Sequence, residues 1–321
     1  MRARALALAV LVLGLPARAA AEEASGRLGP VDLTLGTRAW YSTGNLTWSF
    51  AGTIAGGSVK PLSELRWRGV DAIVTEVSVD LVWRRLVLSG AFGRADDREG
   101  VLIDDDYALD DHRGRFSHTR STVQGDLSYA RGDIGGRLLQ WGEGRRGWLD
   151  LLVGYQYWHE KLEAFGLQGF VDLSPFGVPI QLPAVAQPNL KVITHDYYFN
   201  SLRLGTRTQV PLTSALALRA RVTVLPYTSF RLDDVHHLRT DLKHDPSFTS
   251  EQTGGLGVEA VGGLVYGWGP LSVEGGFEFL HLHAGRGGEK TARLRSGDID
   301  DRLTEISIER WGPYLGLQYR F

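Results

Sequence analysis

The 321-residue chain contains no cysteine, and its only methionine is residue 1. The lack of cysteine excludes a disulfide framework, a thiolate metal site and a cysteine nucleophile. The formal net charge is only -2. So small a net charge argues against a disordered chain and against one that coats nucleic acid. The motifs G-x-S-x-G, H-E-x-x-H, the P-loop and the dinucleotide fingerprint are absent, so the common catalytic and nucleotide-binding signatures do not apply.

Long apolar runs are confined to the N-terminus. Arg2 and Arg4 precede an apolar run from Ala5 to Leu15, and small residues follow at 19–21. The run is well short of the roughly 20 residues that a membrane-spanning helix needs. This order of segments predicts a secretory signal peptide over residues 1–21, followed by a single domain over residues 22–321.

Glycine is abundant, with 40 residues, and this disfavours a helical bundle. Apolar and polar residues alternate instead with a period of two, as in Leu315, Leu317 and Tyr319 against Gln318 and Arg320. The same alternation occurs around residues 76–81, 149–160, 216–224 and 271–279. These segments predict amphipathic β-strands, whose apolar face meets either the core of a soluble sandwich or lipid.

A secreted chain of long amphipathic strands, with aromatic residues near strand ends and at Phe321, favours a transmembrane antiparallel β-barrel over a sandwich. Short turns and longer connections alternate, and counting the strands between them gives ten. The short turns are predicted at 84–85, 142–147, 211–214 and 269–270, and the long connections at 51–60, 108–117, 166–190, 241–252 and 285–303. About 10 residues per strand suffice to cross a bilayer, so we expect the strands to continue well outside the membrane.

Two acidic clusters lie where strands approach long connections: Asp104, Asp105 and Asp106, and then Asp234-Val235-His236. Residues two apart in a strand share a face, so Asp104 points the same way as Asp106, and Asp234 the same way as His236. A carboxylate beside an imidazole makes the histidine a usable general base. Two close carboxylates do not both ionise easily and can hold a water together. If the two strands face each other across the barrel mouth, they predict a hydrolytic site.

Simpler interpretations of these clusters remain open. Acidic residues at strand ends commonly form a solvated rim. Asp104, Asp106 and Asp110 resemble fragments of a calcium loop, although Ala108 and Leu109 do not fit its pattern. His236 and His237 form a potential zinc pair without an evident third ligand.

The order of these motifs resembles the omptins, aspartate-histidine endopeptidases of Gram-negative outer membranes. Leu102-Ile103-Asp104-Asp105-Asp106-Tyr107 stands on a third strand and Asp234-Val235-His236 on a seventh, in a ten-stranded barrel. The segments Ser63-Glu64-Leu65-Arg66-Trp67 and Gly154-Tyr155-Gln156 on the second and fifth strands support the resemblance. It covers nearly all of residues 22–321, through short motifs.

The resemblance implies a catalytic set of four residues. Asp234 would orient His236, His236 would take a proton from water, and Asp104 with Asp106 would hold that water. It also implies an outer-membrane location with the active site on the extracellular side, no metal, and cleavage of peptide or protein substrates. Further expected partners are outer-membrane lipid, including lipopolysaccharide as an activator, and the barrel-assembly machinery acting on the strand that ends at Phe321.

Departures from the family pattern bear on specificity. Omptins select basic side chains through two acidic residues, and the corresponding positions here are Leu232 and, by a gapped alignment, Trp48. A Tyr-x-Glu-x-Arg pattern that grips lipopolysaccharide corresponds here to Tyr155-x-Tyr157-x-His159. The alternative function is therefore a non-catalytic surface barrel, acting as an adhesin or binding scaffold.

The alternation conflicts with an inward position of the four candidate residues. Polar inward positions near the membrane are odd-numbered on the third and seventh strands, as at Ser89 and Thr223, whereas the four candidate site residues are even-numbered. A β-bulge shifts this parity by one residue. Placing the candidate residues inside the barrel therefore requires a bulge on each strand, near Gly93 or Gly100 and near Pro226.

Overall fold

The computed structural model describes residues 31–54, 56–96, 99–284 and 287–321. The predicted signal peptide over residues 1–21, and its cleavage site, lie outside these ranges. None of the helices within the described ranges is long and apolar enough to cross a membrane.

The described residues are almost entirely β-strand. Two short 3₁₀ turns, Glu143–Arg145 and Ser174–Phe176, interrupt the strands. The strands are β1 (Val31–Ile54), β2 (Gly57–Trp83), β3 (Leu86–Ala95), β4 (Glu99–Leu109), β5 (Arg113–Trp141), β6 (Gly147–Asp172), β7 (Gln181–Pro211), β8 (Leu216–His236), β9 (Phe248–Trp268), β10 (Leu271–His283), β11 (Glu289–Leu294) and β12 (Gly297–Arg320).

All pairings between these strands are antiparallel, and β1 pairs with both β2 and β12, which closes the sheet into a ring. Two positions in the ring are each filled by two successive strands. β3 and β4 both lie between β2 and β5, and β10 and β11 both lie between β9 and β12. The ring therefore has ten positions, which confirms the predicted ten-stranded antiparallel barrel.

A belt of exposed apolar side chains surrounds the barrel on its outer face, as expected for strands that contact lipid. We call this belt the lipid-facing band. It includes Leu35, Val77, Val79, Leu88, Ile134, Leu151, Val153, Leu202, Leu204, Val222, Val224, Leu264, Val273, Leu315 and Leu317. Alternate residues of the same strands, such as Asp150 and Gln156, are buried inside. The predicted orientation, with the apolar face toward lipid, is confirmed.

The strands are far longer than a bilayer requires. β7 has 31 residues and β2 has 27, against about 10 needed for a crossing. The surplus lies at one end, where the hairpins are long, and we call it the long-hairpin end. The opposite, short-turn end carries the chain reversals at 84–85, 142–146, 212–215 and 269–270. The first and last described residues, Val31 and Phe321, lie at the same end.

Of the five predicted long connections, the one at 241–252 is a loop as far as residue 247, where β9 follows, and the other four are correct in position but wrong in nature. Most of residues 51–60, 108–117 and 166–190 belong to strands, because β1 with β2, β4 with β5 and β6 with β7 continue as paired hairpins almost to their tips. Residues 285–303 likewise include β11 and the start of β12. Proline and glycine in these segments mark bulges and turns in projecting hairpins, such as Gly166 with its φ of 65°.

The barrel interior at the level of the lipid-facing band is filled by ionised side chains. Arginines and carboxylates from seven strands pair across the interior, and we call this set the luminal ion network. Its members are Arg38, Glu76, Arg131, Asp133, Arg203, Arg221, Glu259 and Glu278. Toward the long-hairpin end, a continuous cluster of buried aromatic and aliphatic residues replaces it.

Both predicted shifts of parity occur. On β8, inward burial falls on odd-numbered residues up to Leu225 and on even-numbered residues from Thr228 onward. The pairing of β8 with β9 and β7 slips at the same place, around Pro226 and Tyr227. On the third ring position, Ala95 pairs with Leu127 and Gly100 with Val123, so one extra residue lies between β3 and β4. These irregularities turn the even-numbered residues inward near the mouth.

Candidate active site

The four predicted site residues lie on the inner face of the barrel near the long-hairpin end. Asp104 and Asp106 lie on β4, and Asp234 and His236 are among the last residues of β8. We call Asp104 with Asp106, and Asp234 with His236, the two couples. They act on each other electrostatically, because the charge of Asp234 affects Asp104 and the charge of His236 affects Asp106. The structure thus brings the two couples together at the mouth, well beyond the lipid-facing band.

Asp234 and His236 form a direct carboxylate–imidazole pair. His236 Nε2 lies 3.1 Å from Asp234 Oδ2, and the histidine side chain retains 17% exposure while the aspartate is fully buried. Burial alone would raise the pKa of Asp234, but the neighbouring imidazoles, above all His236 through its charge and its hydrogen bond, outweigh it and hold that pKa below its usual value. Asp234 is therefore ionised at neutral pH, as an orienting carboxylate must be.

Two further contacts fix the position of His236. Its ring lies edge-on to Phe248, with ring centroids 4.9 Å apart. Its backbone N–H donates to Ser247 Oγ over 3.1 Å, and Ser247 in turn donates its own backbone N–H to Asp234 O. These contacts tie the end of β8 to the loop that follows it and limit the movement of the imidazole.

Asp104 and Asp106 have the opposite electrostatic character. Burial and the nearby negative charges of Asp106, Asp234 and Asp105 raise the pKa of Asp104 well above its usual value. Burial also raises the pKa of Asp106, although hydrogen bonds from Ser63 and Ser117 oppose this. Asp104 Oδ1 is buried and has no hydrogen-bond partner. A carboxyl pair of this kind readily shares a proton and accepts a polar ligand.

The outer face of β4 holds this carboxyl pair in place. Asp105 points away from Asp104 and is fully buried, because Arg66, Arg115 and His118 surround it. His118 Nδ1 lies 2.7 Å from Asp105 Oδ1, and Arg115 Nη1 lies 3.3 Å from the same oxygen. These contacts bind β4 to both neighbouring strands. The middle residue of the acidic cluster is thus structural, while its two neighbours face the site.

The floor of the site is formed by aromatic and aliphatic side chains. Trp48, Trp67 and Leu232 are each at most 2% exposed, and the ring of His195 lies 5.7 Å from Trp48 and 5.2 Å from Trp67. Both positions that depart from the omptin pattern, Trp48 and Leu232, therefore lie beneath the couples as apolar surfaces.

A buried cation borders this floor. Lys290 on β11 is 2% exposed, and its Nζ lies 3.2 Å from the centroid of the Phe50 ring and 4.4 Å from that of Phe248. Asp301 Oδ2 is 3.4 Å away. Burial lowers the pKa of Lys290 to about 8, against the opposing effects of Asp301 and Asp234.

The two metal-binding alternatives, a calcium loop at Asp104, Asp106 and Asp110 and a zinc pair at His236 and His237, do not bring their ligands together in the structure. Asp110 lies in the turn after β4, where its Oδ1 accepts the backbone N–H of Lys60 over 2.8 Å, and it does not join Asp104 and Asp106. His237 contacts Thr194 Oγ1 at 2.9 Å, on the outer face, whereas His236 points inward. Within the described ranges, no group of three or more potential metal ligands was found.

His195, Trp67, Lys290 and the ion cluster around Asp105 were not predicted from the sequence. His195 lies in the alternating segment Ile193, His195, Tyr197 and Phe199, of which all members are buried. A histidine in an otherwise apolar inward series is the one signal that could have identified it. Its position beside Asp234, however, follows only from the register of β7 and β8.

The stretch that corresponds to the family's lipid-binding pattern lies on the outer face of β6. Tyr155 and Tyr157 are exposed at the upper edge of the lipid-facing band. His159 Nε2 lies 2.7 Å from Asp196 Oδ1, and the rings of Tyr157 and Tyr198 stack with centroids 6.3 Å apart. The patch is aromatic and polar, and the Glu and Arg of the family pattern are replaced.

No protein-family model matches the chain, and no curated protein sequence matches it. Among solved structures, the outer membrane protease OmpT from Escherichia coli is similar, with a TM-score of 0.73 and 13% sequence identity over 90% of this chain and 97% of that one. The translocator domain of the autotransporter NalP from Neisseria meningitidis is also matched, at a TM-score of 0.33 and 13% identity, over 98% of this chain and 100% of that one. The first comparison shows that the chain has an omptin-like fold.

Proposed function

We propose that this chain is an outer-membrane endopeptidase that hydrolyses peptide bonds at the extracellular mouth of its barrel through a water activated by an aspartate–histidine pair. The observation that carries the proposal is the convergence of two inward-facing couples with opposite electrostatic character, Asp234 with His236 and Asp104 with Asp106. The omptin-like fold supports it. Perturbed titratable groups that face each other in a mouth are typical of catalytic sites.

In the proposed reaction each member of the set has its own role. Nε2 of His236 contacts the carboxylate of Asp234, so the nitrogen that accepts a proton from water is Nδ1. Asp104 and Asp106 hold the attacking water, whose oxygen bonds to the carbonyl carbon of the substrate. The proton on His236 then passes to the amine nitrogen as the peptide bond breaks. Water is the nucleophile throughout, so no acyl-enzyme forms.

The orientation of the barrel is part of the proposal. Outer-membrane barrels carry short turns on the periplasmic side and longer connections outside. The site lies at the long-hairpin end, so substrates would come from the medium or the cell surface. We also propose that the strand leading to Phe321, whose backbone N–H donates to Leu33 O over 2.9 Å, is the segment that the barrel-assembly machinery engages.

Lipid binding forms a separate part of the proposal. The exposed side chains of Tyr155 and Tyr157, beside the His159 and Asp196 pair, suit contact with lipid at the membrane surface. We propose outer-membrane lipid, including lipopolysaccharide, as a partner of this patch and as an activator. Cleavage should then increase when lipopolysaccharide is added, and it should lose that dependence in Tyr157→Ser.

The main experiment is digestion of a mixed peptide library by refolded protein, with and without lipopolysaccharide. We expect cleavage by the wild type and a loss of about 10⁴-fold in His236→Ala, since removing one member of a general-base pair has effects of this order. His237→Ala is the matched control, because its side chain lies on the outer face of the same segment. It should cleave like the wild type.

Two results would contradict the proposal. Undiminished cleavage by folded His236→Ala would exclude the aspartate–histidine mechanism. No cleavage by a folded wild-type barrel under either lipid condition would favour the second candidate, a non-catalytic surface barrel that acts as an adhesin or binding scaffold. The specific observation that favours this candidate is the filled apolar floor formed by Trp48, Trp67 and Leu232.

A further inference from the structure

Several buried polar atoms next to the two couples have no hydrogen-bond partner. They are Asp234 Oδ1, Trp67 Nε1, and both ring nitrogens of His195. Buried polar atoms in folded proteins nearly always have partners, so a group of unpartnered atoms in one place needs an explanation. These four atoms belong to three side chains that lie side by side beneath His236.

The register of the barrel brings these side chains together. His195 on β7 is the direct cross-strand partner of Asp234 on β8, and both side chains point inward. Directly opposed side chains on antiparallel strands have Cβ atoms about 5 Å apart, which is within reach of an imidazole. Trp67 lies on the other side of the imidazole, with ring centroids 5.2 Å apart and planes tilted by 43°.

The hydrogen-bonding capacities of the three groups are complementary. Burial lowers the pKa of His195 to about 4, so its imidazole is neutral at neutral pH and has one N–H donor and one acceptor nitrogen. The indole of Trp67 only donates, and the free oxygen of Asp234 only accepts. The three groups form no hydrogen bond with one another in this structure. A reorientation of the imidazole that lets Trp67 donate to His195 and His195 donate to Asp234 would satisfy all of them.

We propose that His195 is a positioning residue of this site, whose ring N–H donates to the free oxygen of Asp234 while its other nitrogen accepts from Trp67. Asp234 is then held between two imidazoles, with His236 on Oδ2 and His195 on Oδ1. The inference deepens the proposed function, and its role in catalysis depends on that function being correct.

The expected effect on His236 follows from the charge on Asp234. The charged and titratable groups that act on Asp234 are His236 on its own strand, His195 on β7, Lys290 on β11, Asp104 on β4 and His237 after β8. Asp106 on β4 and Asp241 after β8 also interact with His236. An N–H donated by His195 disperses the negative charge on Asp234. Without that N–H, the carboxylate holds the proton on His236 more strongly, so the imidazole is a poorer acceptor for the proton of the water.

The activity test compares His195→Phe with His195→Asn and His195→Gln. The phenyl ring preserves the packing but donates nothing, and the two amides place an N–H near the positions of Nδ1 and Nε2. We expect His195→Phe to lower kcat roughly tenfold with little change in KM, and to move the acid limb of the pH profile upward by about one pH unit. At least one amide variant should restore the wild-type profile. His283→Phe, on the outer face of β10, is the matched control and should change nothing.

A second measurement does not depend on activity. Titration of carbon-13-labelled histidine by nuclear magnetic resonance, with the His236 signal identified from His236→Ala, reports the pKa of His236 in the folded barrel. An upward shift in His195→Phe supports the inference even if the wild type cleaves nothing, a result that would contradict the proposed function alone. An unchanged His236 titration in a folded His195→Phe barrel overturns the inference, as does a cleaving variant with an unchanged acid limb.

Discussion

Two of the sets of buried ionisable side chains in the barrel, the luminal ion network and the two couples at the mouth, are built in opposite ways. In the luminal ion network, four carboxylates meet four arginines, and each carboxylate lies within ion-pair distance of at least one guanidinium. At the mouth, three carboxylates and one histidine converge, and none of the described arginines forms an ion pair with these carboxylates, although the charge of Arg239 acts on Asp106. Asp104 Oδ1 and Asp234 Oδ1 lack hydrogen-bond partners. The first arrangement neutralises charge inside the membrane, whereas the second leaves charge available to a ligand.

The difference also shows how the two sets relate to stability. A balanced network loses stability when one partner is removed, because the remaining charge stays buried and uncompensated. A set of like charges gains stability when one charge is removed, because it was held together at a cost by the surrounding fold. The three predictions below test this contrast, beginning with the largest expected effect.

Replacing Arg131 by methionine should destabilise the barrel by about 3–5 kcal/mol. Arg131 is buried and contacts Glu76, Glu259 and Glu278, with nitrogen–oxygen distances of 2.7–3.3 Å, so its loss leaves three carboxylates with fewer partners. Urea unfolding in lipid vesicles, followed by tryptophan fluorescence, measures the change. Arg94→Met is the control, because its pair with Asp96 is exposed. Equal losses in both variants would remove the distinction between buried and exposed pairs.

Lys290 should make stability depend on pH in the alkaline range. Burial holds the pKa of Lys290 at about 8 in the folded barrel, below the value of about 10.4 in an unfolded chain. Between these values the unfolded chain binds more protons, so the free energy of unfolding should rise with pH, by about 2 kcal/mol. Urea midpoints at pH 7 and pH 10 should differ in the wild type, and the difference should be smaller in Lys290→Met. The same rise in both proteins would contradict the prediction.

Asp104→Asn should stabilise the barrel by roughly 1 kcal/mol at neutral pH while abolishing cleavage. Because burial and neighbouring charges raise the pKa of Asp104 above its unfolded value, its contribution to stability is present at low pH and is lost as pH rises through the folded pKa. Asparagine does not ionise, so the variant does not lose this stability as pH rises. The control, Asp241→Asn, removes an exposed carboxylate that Arg239 binds over 2.8 Å, and it should not stabilise. If Asp104→Asn instead destabilises the barrel, the prediction is contradicted, and Asp104 behaves like a member of the luminal ion network.

The sequence predicted the fold well because lipid and barrel interior impose a period of two on every strand. It predicted the two couples because residues two apart share a face, and the conflict of parity located both irregularities. The alternation could not predict contacts between strands, since these depend on register. The pairing of His195 with Asp234, the cluster around Asp105 and the burial of Lys290 among aromatic rings all arise from register.

The extra residue near Pro226 makes the membrane half and the mouth half of β8 differ in phase by one position. Deleting one residue between this irregularity and Asp234 would turn Asp234 and His236 to the outer wall, although every side chain of the site would still be encoded. The site therefore depends on the number of residues in a strand as well as on their identity. A length change of one residue in that segment would be enough to separate Asp234 and His236 from Asp104 and Asp106, and the lipid-facing half would be unaffected.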